Sequence, residues 1–185
     1  MQIKIPYTPR KHQAFLHREI SRFRWNVLVC HRRFGKTVCM INHLIRSALL
    51  SKHKNPRFAY IAPTFKQAKS IAWDYMKQFT AKIPHTKFNE TELRVDLPNG
   101  SRITLLGSEN SDGLRGIYLD GCVIDEYANV NERLFPEIIR PALSDRKGYC
   151  VFIGTPQGMN NNFYELYQHA QGAEDWFNYK AKASE

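Results

Sequence analysis

The segment Cys30-His-Arg-Arg-Phe-Gly-Lys-Thr37 follows an apolar run, Trp25 to Val29, and opens a stretch with helical periodicity. No other feature narrows the possible folds as much. Val38, Ile41, Leu44, Ile45 and Leu49 recur at the three- and four-residue spacing of one helix face, so the stretch from Gly35-Lys36-Thr37 through Leu50 reads as an amphipathic helix. A buried strand, a short loop and a helix start aim several backbone N–H groups and a positive dipole end at one point, which suits a polyphosphate. In such a loop Lys36 reaches the β- and γ-phosphates, and the Thr37 hydroxyl ligates Mg²⁺. The usual phosphate loop begins with Gly, and Cys30 holds that place here. The donors are backbone groups and no Pro interrupts residues 30–37, so the cradle tolerates the change.

A second apolar run, Cys122-Val-Ile124, ends in Asp125-Glu126. In a parallel sheet, ligands gather beyond the carboxyl ends of the strands. Asp125 is therefore expected beside the Thr37-bound Mg²⁺, and Glu126, one residue further, is placed to accept a proton from an attacking water. An isolated Asp-Glu is an ordinary acidic loop. Downstream of a phosphate loop it completes the pair of sites that ATP hydrolysis requires.

The remaining pattern alternates strands with helices. Phe58 to Ala62 reads as a strand, and Phe65 to Phe79 as a helix burying Ala68, Ile71, Ala72, Tyr75, Met76 and Phe79. Leu93, Val95 and Leu97, then Ile103 and Leu105, alternate about Pro98-Asn99-Gly100, a hairpin signature. Residues 107–116 read as a polar loop too rich in glycine for regular structure. Val130 to Leu143 reads as a helix broken near Pro136 or Pro141, Gly148 to Ile153 as a buried strand, Asn161 to Ala173 as a helix, and Trp176 to Lys182 as the start of another strand. The expected class is α/β: a mostly parallel sheet flanked by helices, with an inserted β-hairpin.

Length and composition agree. A chain of 185 residues, 43% hydrophobic, fits one domain with a proper core. No apolar stretch approaches the ~20 residues of a membrane span, and the N-terminus has no signal-peptide pattern. Cys30, Cys39, Cys122 and Cys150 form no CxxC pair and fall in or beside apolar runs, as small core residues of a reducing compartment do. The seven histidines show no metal-ligand spacing. Charge is uneven: residues 1–57 carry 13 Lys and Arg against the single acid Glu19, whereas the rest of the chain is slightly acidic. Beyond Arg32, Arg33 and Lys36, the basic residues of that third (Lys4, Arg10, Lys11, Arg18, Arg22, Arg24, Arg46, Lys52, Lys54 and Arg57) form either a nucleic-acid-facing surface or a merely solvated face.

Five motifs in order resemble the ATPase domain of the large terminase subunit, the DNA-packaging motor of tailed bacteriophages. They are Tyr7-Thr-Pro-Arg-Lys-His-Gln13, Arg32-Arg-Phe-Gly-Lys-Thr37, Ala62-Pro-Thr-Phe-Lys-Gln-Ala68, Leu114-Arg-Gly with Val123-Ile-Asp-Glu126, and Gly154-Thr-Pro-Gln-Gly158 leading into Asn162-Phe-Tyr-Glu-Leu166. The resemblance covers nearly the whole chain. It implies a P-loop NTPase fold of the RecA/ASCE-like kind over residues 1–185, with ATP and Mg²⁺ as cofactors. Arg10 and Gln13 would flank the adenine, and Arg32, Arg33, Phe34, Gly35, Lys36 and Thr37 would form the nucleotide-binding loop. Asp125 would join Thr37 at the metal, with Glu126 and Lys36 catalytic. Arg115, eleven positions before Glu126, would act as an arginine finger on a neighbouring subunit's ATP, unless it is only a loop cation. Thr155 would sense loss of the γ-phosphate, a role compatible with capping the next helix.

The same resemblance implies double-stranded DNA as the translocated polymer and a ring homo-oligomer. Portal protein and small terminase subunit would be partners in the cytoplasm of the bacterial host, with no membrane. Large terminases generally carry a C-terminal nuclease, which has no expected place in this chain, and the last part of the ATPase fold is expected to be cut short. The alternatives are a truncated remnant that binds nucleotide or DNA without turnover, or another DNA-translocating ATPase of helicase type.

Overall fold

The central strands are short apolar runs buried on both faces, as a parallel sheet covered by helices on each side requires. The computed structural model describes residues 2–182. The described strands are β1 (Trp25–Val29), β2 (Arg57–Ala62), β3 (Lys87–Asn89), β4 (Arg94–Asp96), β5 (Arg102–Gly107), β6 (Gly121–Ile124), β7 (Tyr149–Gly154) and β8 (Trp176–Lys180). They form one sheet in the order β3-β4-β5-β2-β6-β7-β1-β8. Every pairing from β5 to β8 is parallel, and β3 and β4 are appended antiparallel at one edge. The predicted hairpin is there, with Val95 opposite Ile103. Its second strand β5 also pairs with β2, so the hairpin extends the main sheet.

Alternate residues of each strand feed opposite cores. Leu28, Tyr60, Val123, Val151 and Ile153 face a cluster formed with α1 (Lys11–Ile20), α2 (Lys36–Leu50), α3 (Phe65–Ala68) and α4 (Asp74–Thr80). Val27, Val29, Ala59, Ile61, Ile124 and Phe152 face the other cluster, which includes α5 (Arg140–Ser144) and α6 (Asn162–Gly172). All four cysteines are buried free thiols.

Three local readings differ from the structure. The helical stretch 65–80 contains a π-helical turn, Lys69–Trp73, between α3 and α4. This turn brings Trp73 into the core and leaves Ile71 and Tyr75 exposed, although helical periodicity places both on the buried side. The expected loop 107–116 is mostly a 3₁₀ segment, Ser108–Leu114, interrupted by the non-helical backbone of Asn110. The helix expected over Val130 to Leu143 begins later: a π-helical turn, Phe135–Ile139, runs into α5 and accommodates Pro136 and Pro141, which have no N–H to donate. Helix α1 and strand β3 have no counterpart among the expected elements. Of the domain expected over residues 1–185, positions 1 and 183–185 lie outside the described residues.

Candidate functional site

The parallel register gathers three strand ends on one side of the sheet. β1 leads into residues 30–37, β6 into Asp125-Glu126, and β7, lying between them, into Gly154-Thr155. The Cys30 N–H donates to the Gly154 carbonyl at 3.0 Å, which ties the loop to the strand carrying Thr155. Burial pushes the Cys30 thiol up to about 12, so the residue that replaces the usual glycine is a small neutral group.

The loop turns through two left-handed residues, Arg33 (φ 68°) and Gly35 (φ 81°), and Gly35 caps α2. A Cβ at Gly35 would lie 2.5 Å from Arg10 Nη2, so a larger residue there would also displace the Arg10 side chain from the loop. Arg32 and Arg33 are exposed beside the loop. Phe34 is buried, with its ring against His31 and Tyr179, and anchors the loop from beneath. Lys36 and Thr37 occupy the first turn of α2.

Lys36 Nζ lies 3.6 Å from Glu126 Oε1, so the loop and the end of β6 meet as the motifs implied. Glu126 adopts a left-handed conformation (φ 47°, ψ 47°), which costs a non-glycine residue on the order of 1–3 kcal/mol. Its N–H donates to Asp125 Oδ1 at 2.8 Å. The other Asp125 oxygen accepts the hydroxyl of Tyr60, on the neighbouring strand β2. Burial pushes the Asp125 carboxyl above its ordinary range, opposed by the Tyr60 hydrogen bond and by Lys36. Tyr60 is itself raised well above its usual value by burial and then by the Asp125 charge, and its hydroxyl also interacts with the Thr37 side chain. Thr37, Tyr60 and Asp125 thus form one polar chain running from the loop to the buried end of β6. Sequence reading missed Tyr60. The available signal was a tyrosine inside an otherwise apolar buried strand, whose hydroxyl must find a partner.

Arg10 and Gln13 are also brought to the loop, but they grip its backbone. Arg10 Nη2 donates to the Phe34 carbonyl at 3.1 Å, and Gln13 Nε2 to the Gly35 carbonyl at 3.3 Å. Gln13 Oε1 in turn accepts the Arg10 N–H. Arg115 lies apart, on the connection between β5 and β6. Its ion pairs among the described residues are with Asp112 (3.2 Å) and Glu137 (3.8 Å).

A depression of about 400 Å³ opens over Lys36, Thr37 and Val38. A larger one, about 480 Å³, borders Pro156, Met159 and Tyr167 instead. The smaller is the chemically equipped one, because it holds the loop, the cation and the helix start. Mg²⁺ fits the donors beside it: the Thr37 hydroxyl and the Asp125 carboxylate are oxygen ligands, and this ion commonly takes one or two protein groups, with phosphate and water completing its shell.

Comparisons with known proteins identify the family and the fold. The family described as terminase large subunit, T4likevirus-type, N-terminal, matches residues 29–181. The terminase large subunit of Thermus phage G20c is 27% identical over 180 residues, covering 87% of this chain and 36% of its own length. The chain therefore spans about a third of the curated relatives it matches. In fold it is similar to the large terminase ATPase domain of Thermus phage P74-26, with a TM-score of 0.79 at 24% identity over 96% of this chain and 82% of that one. The large terminase of another thermophilic bacteriophage, in complex with ADP, also gives 0.79, at 18% identity over 92% of this chain and 44% of that one. With the profile match running from the end of β1 through β8, the chain belongs to the family of T4likevirus-type terminase large subunit N-terminal domains.

Proposed function

We propose that this chain is the Mg²⁺-dependent ATPase part of a phage DNA-packaging motor, working in a ring of identical subunits on double-stranded DNA. The observation that carries the reading is the Lys36–Glu126 pair at 3.6 Å, which sets a phosphate-binding cation and a carboxylate across one small gap. Backbone N–H groups of the loop and the α2 dipole hold the phosphates. Lys36 offsets their charge in both the ground and the transition state. Glu126 orients a water and accepts its proton as the water oxygen bonds to the γ-phosphorus. The bond to the β–γ bridging oxygen breaks, and ADP and phosphate leave. Mg²⁺, held by Thr37 and Asp125 when bound, adds positive charge at the phosphate oxygens. Tyr60 fixes the Asp125 carboxylate by hydrogen bond. Thr155, at the end of the strand hydrogen-bonded to the loop, relays phosphate loss toward α6. Arg10 and Gln13 hold the loop in shape. Portal and small terminase proteins are the expected assembly partners, in the host cytoplasm; no described helix is long and apolar enough to cross a membrane.

The test compares two variants. Lys36→Ala should abolish turnover and weaken ATP binding, because it removes charge from both states. Glu126→Gln should bind ATP at parental affinity and lose about 10²–10⁴ in turnover, the scale of general-base catalysis. A Glu126→Gln chain that hydrolyses ATP at the parental rate would take the base role away from this carboxylate.

A further inference from the structure

Tyr60 is fully buried on the face of β2 that looks toward α2, between Phe58 and Ala62 on the same face. A phenylalanine ring would fill the same space, so packing alone does not call for the hydroxyl. Burial makes that hydroxyl costly unless it is hydrogen-bonded, and it has two partners. It donates to Asp125 Oδ2 and interacts with the Thr37 side chain. Both partners come from other elements. β2 runs parallel to β6 with Tyr60 beside Val123, and the Asp125 N–H continues that pairing by donating to the Ile61 carbonyl at 2.8 Å. Asp125 lies two residues beyond Val123 and so shares its side of the sheet. Thr37 stands in the first turn of α2, the helix that covers that side.

Chemistry fixes the direction of this chain. With Asp125 ionised, as a Mg²⁺ ligand must be, its carboxylate only accepts, so the single Tyr60 proton goes to Asp125. The Tyr60 oxygen then accepts from Thr37, whose proton is turned inward and whose lone pairs are left for a cation. At the other end, Asp125 Oδ1 accepts the Glu126 N–H at 2.8 Å, and the left-handed Glu126 sets its carboxylate 3.6 Å from Lys36 Nζ. One hydroxyl thus stands between the helix start that faces the phosphates and the residue that faces Lys36.

We propose that Tyr60 is a positioning residue for the metal-dependent step: its hydroxyl keeps the Thr37 oxygen and the Asp125 carboxylate in ligating form for Mg²⁺ and, through Asp125, steadies Glu126. The proposal rests on the reading of Thr37 and Asp125 as the Mg²⁺ donors beside a phosphate cradle. Hydrogen bonds that orient metal ligands are worth about 10–100-fold in metal affinity or activity. The loop N–H groups and Lys36 hold phosphates without Tyr60. Its loss should therefore be felt by the metal and by turnover, and not by nucleotide binding in the absence of metal.

Binding of a non-hydrolysable ATP analogue, in chelator and in saturating Mg²⁺, tests this in the parent, Tyr60→Phe, Asp125→Asn, the double variant and Lys36→Ala, with kcat for ATP as the second readout. Tyr60→Phe should bind the analogue as the parent does in chelator, lose about tenfold or more of the affinity gained on adding Mg²⁺, and lose kcat on the same scale. In the Asp125→Asn background the same change should cost far less, because Tyr60 acts through that carboxylate. Equal weakening in chelator and in Mg²⁺, an unchanged Mg²⁺ gain, or full additivity with Asp125→Asn would overturn the proposal. Melting curves of the same samples report the fold. If Tyr60→Phe does not fold, fluorotyrosine at position 60 replaces it, nearly the same in shape and a stronger donor; its Mg²⁺ gain should differ from the parental one, and a parental gain would overturn the proposal. Lys36→Ala should weaken the analogue even in chelator. If it does not, the cradle reading fails and the proposal falls with it; if it does and Tyr60→Phe stays parental, the proposal alone fails.

Discussion

Asp125 is a carboxyl held where burial disfavours charge. Its carboxyl is pushed above the ordinary range chiefly by desolvation, and the Tyr60 hydroxyl and Lys36 offset this only in part. A carboxyl raised in the folded state stabilises the fold below its unfolded value, 3.8, and weakens it as pH rises through the folded value. In Mg²⁺-free, nucleotide-free buffer at pH 7, Asp125→Asn should therefore raise the melting temperature. The Asn oxygen can still accept the Glu126 N–H, and the Tyr60 hydroxyl can turn to accept from the new amide. The gain should shrink as pH falls through the raised folded value, where the parental carboxyl takes up its proton, and the same variant should lose Mg²⁺-dependent ATP turnover. Stability gained with activity lost marks a residue kept for chemistry. An unchanged or lower melting temperature at pH 7 would mean that Lys36 and Tyr60 already compensate the buried charge. The left-handed backbone of Glu126 is a local tension of the same kind, and both residues lie just beyond the end of β6.

Helix α1 serves the site through its packing. It carries Arg10 at its cap and Gln13 in its first turn, and it is held to α2 by a buried stack of His17 on His43, with ring nitrogens 3.1 Å apart. The Tyr7 hydroxyl closes the cluster on His17 at 2.9 Å. Burial lowers His17 to about 4 and His43 to about 3. Folded values below the unfolded 6.5 mean that the fold keeps both rings neutral. The resulting stability is present above pH 6.5 and is lost as pH falls from there toward 4 and then 3. Thermal melts from pH 7.5 to 5 should show a steady fall in melting temperature, and a His17→Gln, His43→Gln double variant should flatten that slope; an equal slope in both chains would place the acid sensitivity elsewhere. This helix also shows why part of the fold was not legible. Its buried face mixes Leu16 and Ile20 with Gln13, His17 and Glu19, so it lacks the continuous apolar stripe that reveals α2. β3 is a three-residue edge strand with little burial, too short to carry a pattern. The π turn before α4 depends on Trp73 reaching Glu90 in the β3–β4 connection, a contact set by tertiary packing. The strands β1, β2, β6 and β7, by contrast, are buried on both faces, and their continuous apolar runs announce themselves. The loop and the acidic pair were readable because each directly follows such a run, whereas Tyr60 joins the site only through Asp125 and Thr37, which are distant in sequence.

At the scale of the molecule, the basic N-terminal third does not act as one surface. Arg24 is spent on the Gly148 and Leu143 carbonyls, Arg57 on Pro56 and Gly100, and Arg18 and Arg22 on Glu19. Lys4, Lys11, Arg46, Lys52 and Lys54 remain exposed. DNA binding by these cations should ignore sequence and weaken with salt at a log–log slope of roughly 0.9 per phosphate contacted; fluorescence anisotropy on two unrelated duplexes checks both, and a strong sequence preference would refute it. Arg115 raises the question of assembly. It is half-exposed on the β5–β6 connection and pairs with Asp112 and Glu137, away from the Lys36–Glu126 gap of its own chain. By the family resemblance, a cation so placed would assist hydrolysis by reaching a neighbour's nucleotide. Such fingers contribute ~10³–10⁵ in rate, or roughly 4–7 kcal/mol of barrier. The dilute chain should then be a feeble ATPase whose specific activity rises with protein concentration. Arg115→Ala should remove that rise while leaving ATP affinity nearly unchanged. Mixing is the sharper measurement. Arg115→Ala and Glu126→Gln chains, each inactive alone, should partly restore hydrolysis together, because one supplies the finger and the other the intact base at a shared boundary. Full activity at high dilution, or no restoration in mixtures shown to co-assemble, would reduce Arg115 to a loop cation held by Asp112 and Glu137.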